Sequence, residues 1–533
     1  MINLNKVSYE VGGRQVLSDV SFGINAGDRI GLVGPNGVGK TTLLHLINRD
    51  IIPTSGQITY DQTEIGMLPQ DLNGWLDHTI EGFVASVTGV EKASDNFDSA
   101  CKKLEEDQSE HTLMIYSEAL EQYNRLDIGG FESRVKLAMA NAGIANVDIY
   151  REIGTLSGGQ KRRVALAAVI ASMYDTILLD EPTNDLDTRG VTILEKFIGE
   201  SPASFVIVSH DRQFLRNTST RIIELLGDGV KQFNLGYDEY VEARRADKEA
   251  TAKAYNQYEM EKKRLRRAAR DANIRANSAA GNRRTPDSDK LTANARRERA
   301  AGHLAGAATA MSSRLSSLEE PERPEEEIRL AFAFATEERD KGATLLDVRD
   351  LSMEIYGRIV GPISMHLQAG DKVLLEGENG IGKTTLLKAI VNQSGSDSGE
   401  SRIGSAARVI YIDQNQTLPT PDKTALENLQ QLVSGLEKHD LINLLIRFGI
   451  KKDSLVVPAR DLSGGERMKV LLASIAANRA NLLIMDEPTN NLDIPTVEAV
   501  ESALENYSGA ILLVSHDREF VEAVNPEQKI SLS

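Results

Sequence analysis

Two glycine-rich loops stand in one chain of 533 residues: Gly34-Pro35-Asn36-Gly37-Val38-Gly39-Lys40-Thr41 and Gly377-Glu378-Asn379-Gly380-Ile381-Gly382-Lys383-Thr384. Glycines at this spacing let successive backbone N–H groups converge on an anion at the start of a helix. Lys40 and Lys383 are then placed to neutralise β and γ phosphates, and Thr41 and Thr384 to hold Mg2+. The candidate nucleotide contacts are Gly34, Asn36, Gly37, Gly39, Lys40, Thr41 and Thr42 in the first copy. In the second they are Gly377, Asn379, Gly380, Gly382, Lys383, Thr384 and Thr385.

Each loop is followed by the same four groups in the same order. Gln70 and Gln414 come first, at intervals from the lysines that differ by a single position, suited to complete a metal and water shell. Leu156-Ser157-Gly158-Gly159-Gln160 and Leu462-Ser463-Gly464-Gly465-Glu466 come next, and the step from serine to acidic pair is the same in both copies. The apolar runs 176–179 and 482–485 read as strands that deliver Asp180 and Asp486 to the metal. The next residues, Glu181 and Glu487, are placed to orient or deprotonate an attacking water. His210 and His516, again equally far beyond the two aspartates, are positioned for the γ phosphate. One such loop is often only a turn, and a lone histidine is usually structural. Five motifs in one order, twice, are a duplicated ATPase. The other histidines (45, 78, 111, 303, 366 and 439) are scattered and read as non-ligands.

These groups need strands that end at the phosphates and a helix that starts there. Residues 1–33 alternate apolar and polar, ending in a strand 28–33 that feeds the first loop, and a helix follows from Lys40. The stretch from glutamine to serine runs over 70–157 in the first copy but only over 414–463 in the second. The first copy therefore carries about 38 extra residues within 75–135, read as amphipathic helices near 94–106 and 112–126 that form an inserted arm. A helical pattern spans 238–279. Gly281 breaks it, and a second Ala/Arg-rich helix, opened by Thr285-Pro286, runs to about Leu318. Two long helices around a short break read as an antiparallel hairpin. The domains expected are 1–240, a linker at 241–325, and 326–533.

Net charge is −17, yet residues 241–317 hold 18 Lys/Arg against 9 Asp/Glu. A basic element on an acidic body points to a polyanion partner. Arg264, Arg266, Arg267, Arg270, Arg275, Arg283, Arg284, Arg296, Arg297 and Arg299 can pair with phosphates, and the near absence of aromatics there favours backbone and shape contacts over base stacking. A single cysteine, Cys101, excludes a disulfide framework and a cysteine-ligated metal centre. No apolar run reaches the roughly 18 residues a membrane span needs. A cytoplasmic protein without a leader segment is expected.

The Ser-Gly-Gly motifs set these loops apart from other phosphate-loop enzymes. Both halves of the chain resemble ATP-binding-cassette ATPases, which implies an α/β fold with two such domains joined by the helical hairpin. By that resemblance the cassettes pair head to tail within one chain, each ATP lying between one phosphate loop and the other copy's serine. The same resemblance puts an aromatic on adenine: Tyr356 in the second copy, with Val11 or Tyr9 in the first. Tandem cassettes, an arm and a basic linker, with Asn184-Asp185-Leu186-Asp187, Asn490-Asn491-Leu492-Asp493 and Gly236-Tyr237-Asp238-Glu239-Tyr240, resemble the ABC-F family. The resemblance implies ATP and Mg2+ as ligands, and the ribosome, through rRNA and tRNA, as partner. No DNA or membrane partner is expected. The role implied is translation factor or antibiotic-resistance factor; the alternative is a cytosolic tandem ATPase subunit of a transporter.

Overall fold

A computed structural model describes residues 1–281 except 62, 68, 70, 71, 185 and 187; then 306, 309, 310 and 313–321; and 342–532 except 356, 357, 378, 379, 394–397, 491 and 506. The chain divides into two compact units: Met1–Tyr237 with Ile328–Ser533, and Asp238–Glu327.

The runs 176–180 and 204–208 are apolar almost throughout and buried at every position, the mark of strands covered on both faces. Among the described residues of the first cassette they form a sheet ordered Ile65–Met67, Thr176–Asp180, Ser204–Val208, Arg29–Val33, Arg221–Leu226, Gly229–Phe233, parallel except for the last pair. The second cassette repeats it as Val409–Ile412, Leu482–Asp486, Ala510–Val514, Lys372–Glu376, Gln528–Ser531, all parallel. Each cassette adds an antiparallel sheet, Ile2–Val11 between Arg14–Ile24 and Ser55–Tyr60, and Thr344–Ile355 between Arg358–Gln368 and Ser398–Ile403. In the first cassette the helix Lys40–Ile47 is held between the two sheets, with Leu43, Leu44 and Ile47 packed among Ile2, Leu4, Leu17, Val206 and Ile223. Parallel sheets bind ligands beyond the carboxyl ends of their strands, and there the phosphate loops and acidic pairs emerge.

The extra residues of the first copy form a helical hairpin, Val90–Glu106 and Glu110–Arg125, between helices Ile80–Val87 and Phe131–Asn141. In the second copy the corresponding helices, Ala425–Leu432 and Lys438–Arg447, follow each other directly. Both arm helices start earlier than their apolar spacing suggests. Gly89, in the left-handed region, lets the first begin at Val90, and the Ser109 side chain accepts from Thr112 N and opens the second at Glu110. The arm closes on Ala93, Ala100 and Ala119, with the Phe97 ring 5.7 Å from Tyr116 and 4.7 Å from Tyr123.

In the other unit a helix of 45 residues, Tyr237–Gly281, covers the expected 238–279. At 1.5 Å per residue it reaches about 68 Å. Most of the second linker helix lies outside the described residues. No helix among the described residues is long and apolar enough to cross a membrane.

Because the arm's small core depends on one ring between two tyrosines, Phe97→Ala should loosen that hairpin by roughly 2 kcal/mol. Amide hydrogen exchange would read it as faster exchange across 90–125 with the cassette strands unchanged.

Candidate active site

Each phosphate loop turns into its helix through a glycine held in a backbone conformation that side chains resist. Gly39 and Gly382 head the lysine helices at φ 105° and 110°, and a Cβ on Gly39 would meet Leu17 Cδ2 at 2.9 Å. The lysines curl back over their loops. Lys40 Nζ donates to Gly34 O at 2.7 Å and Pro35 O at 3.2 Å, and Lys383 Nζ donates to Gly377 O at 2.6 Å. Burial lowers the Lys40 pKa, against the pull of Glu181, Asp493 and Asp180. Thr41 Oγ1 donates to Asp180 Oδ2 at 2.7 Å, and Thr384 stands near Asp486 and favours its charged form.

The strand ends carry the acids. Asp180 and Asp486 are buried, and burial raises both pKa values against the threonine bonds. Glu181 and Glu487 follow at φ 49° and 47°, a left-handed conformation that costs a non-glycine residue on the order of 1 kcal/mol. Their amides still donate to the neighbouring strand, to Val208 O and Val514 O at 2.8 Å each. The twist brings each carboxylate to a histidine. His210 N donates to Glu181 Oε2 at 3.3 Å and His516 N to Glu487 Oε2 at 3.1 Å. The imidazole Nε2 atoms lie 3.2 and 3.5 Å from the other carboxylate oxygens, close but not aligned as hydrogen bonds, so Glu181 Oε1 and Glu487 Oε1 remain without a donor. Burial pushes Glu181 up to about 8 and Glu487 up to about 7, with Lys40 and the His516 amide opposing. Burial, then Lys40, pulls His210 down to about 3.

Mg2+ is commonly held by one or two carboxylates plus the phosphates it arrives with. Asp486 Oδ2 is buried without a partner, and Thr384 and Gln414 line the same cavity, so the donor set fits such an ion.

That cavity is shared by the two cassettes. It measures about 950 Å3, and its walls are Gly380 to Thr385, Gln414, Asp486, Glu487 and His516 on one side and Ser157, Gly158 and Gly159 on the other. Ser157 opens the helix Gly158–Ala171 with a reciprocal cap, Gln160 N to Ser157 Oγ at 3.3 Å and Ser157 N to Gln160 Oε1 at 3.0 Å, leaving a helix N-terminus facing the space. Ser463 caps Gly464–Asn478 identically through Glu466. At the first phosphate loop the described contact from the second cassette is Asp493, whose Oδ2 accepts from Asn36 N at 3.1 Å. Bonds from Thr496 and Asn36 hold the Asp493 carboxyl low in spite of burial. Gln70, Tyr356 and Asn379 lie outside the described residues, as do Arg283, Arg284, Arg296, Arg297 and Arg299; Arg275 is on the helix, its side chain undescribed.

Two groups escaped the sequence reading. Asp493 was visible only as part of the text after the acidic motif. Arg212, the arginine of the first copy's Ser-His-Asp-Arg motif, is 8 % exposed and reaches across to the second cassette. Its Nη1 donates to Glu501 Oε2 at 3.0 Å, its Nε lies 3.1 Å from Glu519 Oε2, and Arg216 Nη1 donates to Glu519 Oε1 at 2.5 Å. The matching Arg518 is exposed and lines the cavity.

A fold of paired cassettes around such a cavity defines a tandem ATP-binding-cassette ATPase. The family model described as "ABC transporter" matches residues 17–184 and 360–490. ATP-binding protein Uup of Escherichia coli (strain K12) is 31% identical over 95% of this chain and 76% of its own length. Tylosin resistance ATP-binding protein TlrC of Streptomyces fradiae is 31% identical over 97% and 94%. ABC transporter F family member 5 of Arabidopsis thaliana is 28% identical over 98% and 74%. A crystal structure of archaeal ribosomal stalk protein aP1 with archaeal ribosome recycling factor aABCE1 covers 99% of this chain and 87% of that one, with TM-score 0.59 at 18% identity, a likeness of fold. The chain belongs to the ABC-F family of ATP-binding-cassette ATPases.

Folded, nucleotide-free protein holds the Glu487 proton to about pH 7, whereas an unfolded chain releases it near 4.5. The protonated group's contribution is therefore complete below pH 4.5 and lost as pH rises through 7. Glu487→Gln has no proton to lose, so its stability relative to wild type should rise by about 3 kcal/mol between about pH 4.5 and pH 8. Denaturant unfolding at both pH values measures this, and a flat difference would mean that Glu487 ionises equally easily folded and unfolded.

Proposed function

We propose that this chain hydrolyses ATP at two sites formed between its own cassettes and couples that cycle to the ribosome, as a cytoplasmic monomer. Lys40 and Lys383 hold the phosphates. Thr41, Asp180 and Gln70, and Thr384, Asp486 and Gln414, hold Mg2+, which supplies charge neutralisation on the phosphates. Glu181 and Glu487 orient and deprotonate water while His210 and His516 touch the γ phosphate, and Ser157 and Ser463 with their glycine pairs complete the sites from across the interface. Tyr356 stacks on adenine in the second site.

The left-handed turns at Glu181 and Glu487 support this assignment, because strain is kept where the surroundings hold a group in place. A raised carboxyl pKa means that positive charge bound nearby would have to favour the carboxylate before it could act as a base.

ATP-bound pairing permits ribosome binding, and hydrolysis ends it. The observation that carries this is the exposed row Arg264, Arg266, Arg267 and Arg270 on the helix Tyr237–Gly281 of a chain with net charge −17. Arg264 Nε lies 3.1 Å from Glu261 Oε2, a surface pair that contributes little and yields to a phosphate. Contact with phosphates is sequence-independent and salt-sensitive, as RNA backbone requires. The linker acts near the tRNA and peptidyl-transferase region. The role is that of a translation factor or of an antibiotic-resistance factor that protects the ribosome, and a relative named for tylosin resistance supports the second.

The Glu181→Gln/Glu487→Gln variant should bind ATP, hydrolyse it at least about a hundredfold more slowly, and co-sediment with ribosomes only when ATP is present. ATP binding without ribosome binding in either condition would turn the reading to an ATPase subunit of a transporter. Changing Arg264, Arg266, Arg267 and Arg270 together to Glu should remove ribosome binding and leave ATP binding intact. Unchanged ribosome affinity across a salt series would remove these arginines from the interaction.

A further inference from the structure

Behind the cavity wall of the second cassette lies a polar side chain where the matching position of the first cassette holds a leucine, Leu72. Gln416 is completely buried and sits at φ 50°. Its Nε2 donates to Gln414 O at 3.1 Å and to Asn490 O at 2.9 Å. Gln414 and Asn490 both face the cavity, and Asn490 N donates to Glu487 O at 3.2 Å. One amide group thus ties the loop that carries Gln414 to the turn that follows Asp486 and Glu487.

The loop is built to present that amide. Gln416 N donates to Asp413 O at 3.0 Å, and Thr417 N donates to Asp413 Oδ1 at 2.7 Å. Gln416 Oε1 is buried with no donor, a cost that a leucine would not incur. The first copy has that cheaper solution. Leu72, itself buried, stands two residues after Gln70, and Pro69 stands where Asp413 precedes Gln414. Neither Leu72 nor Pro69 has a side-chain group to make these bonds.

We propose that Gln416 is a positioning residue that fixes Gln414 against the Glu487–Asn490 turn, so that the second site meets its divalent cation with a stiffer shell than the first and the two sites bind metal with unequal affinity. Holding a ligand from behind raises affinity because less freedom is lost when the ion arrives. The inference rests on the ATPase reading in placing Gln414 in the metal shell.

The test uses the full chain with a non-hydrolysable ATP analogue, titrated with Mn2+ and followed by the electron paramagnetic resonance of the free ion. Wild type should show two classes of site. Gln416→Leu and the volume-preserving Gln416→Met should each weaken the tighter class about tenfold and leave the weaker class in place, while binding of the analogue without metal is unchanged. A single class in wild type, two classes unmoved by either substitution, or both classes weakened together with a lower thermal midpoint would each overturn the proposal, the last by making Gln416 merely structural. Failure of wild type to bind Mn2+ with the analogue at all would instead sink the ATPase reading, and this inference with it.

Discussion

Burying two neighbouring carboxyl groups at the end of an apolar strand is the constraint on which this molecule turns. Asp180-Glu181 and Asp486-Glu487 are pushed there by strands buried at every position. The nearest ammonium groups, Lys40 and Lys383, already donate to carbonyls of their own loops. Such a site is poised against ionisation, and the glutamates hold their protons well above the usual carboxylate range. A divalent cation held beside Asp180 or Asp486 would favour the charged carboxylates, whereas phosphate oxygens alone would oppose them. The unfavourable backbone turn at each glutamate persists because its amide keeps the sheet bond to the next strand while its side chain leaves the sheet.

The interface between the cassettes follows the same logic with opposite sign. Arg212, buried, is paired in charge with Glu501 and Glu519 from the other copy, and Arg216 shares Glu519 while lying 5.9 Å from the Tyr237 ring. Removing one partner of such a network strands a buried charge, so the network fixes how the copies meet more than how strongly they adhere. The duplicate does not repeat it. Where the second cassette has Glu501 and Glu519, the first has Glu195 and Gln213, one carboxylate fewer, and Arg518 stays exposed at the cavity.

The sequence made the strands, the phosphate loops and the order of the motifs legible because each is local: a run of apolar residues, a glycine that must turn left, a serine followed three residues later by Gln or Glu. The arm helices were legible from periodicity, with starts misplaced by two to four residues because caps, not apolar spacing, decide where a helix begins, whereas the linker helix, poor in apolar periodicity, begins within a residue of its expected start. What was not legible is whatever depends on a partner far along the chain. Arg212 is an ordinary motif arginine until Glu501 is brought to it, and Gln416 is one glutamine among polar neighbours until Asn490 arrives behind it.

The two copies have diverged in a physically restricted place. From serine to acidic aspartate to histidine, Ser157 to Asp180 to His210 and Ser463 to Asp486 to His516, the spacing is identical. That stretch runs through buried parallel strands, where a single-residue slip would turn every side chain to the opposite face. The interval from glutamine to serine has no such register to keep. It holds surface helices joined by loops, and lengthening a loop costs little. The arm, the exchange of Leu72 for Gln416 and that of Pro69 for Asp413 all fall within it or at its edge. This interval runs from Gln70 to Ser157 and from Gln414 to Ser463, so the changes the fold tolerates lie between the motifs and leave the motif residues themselves in place.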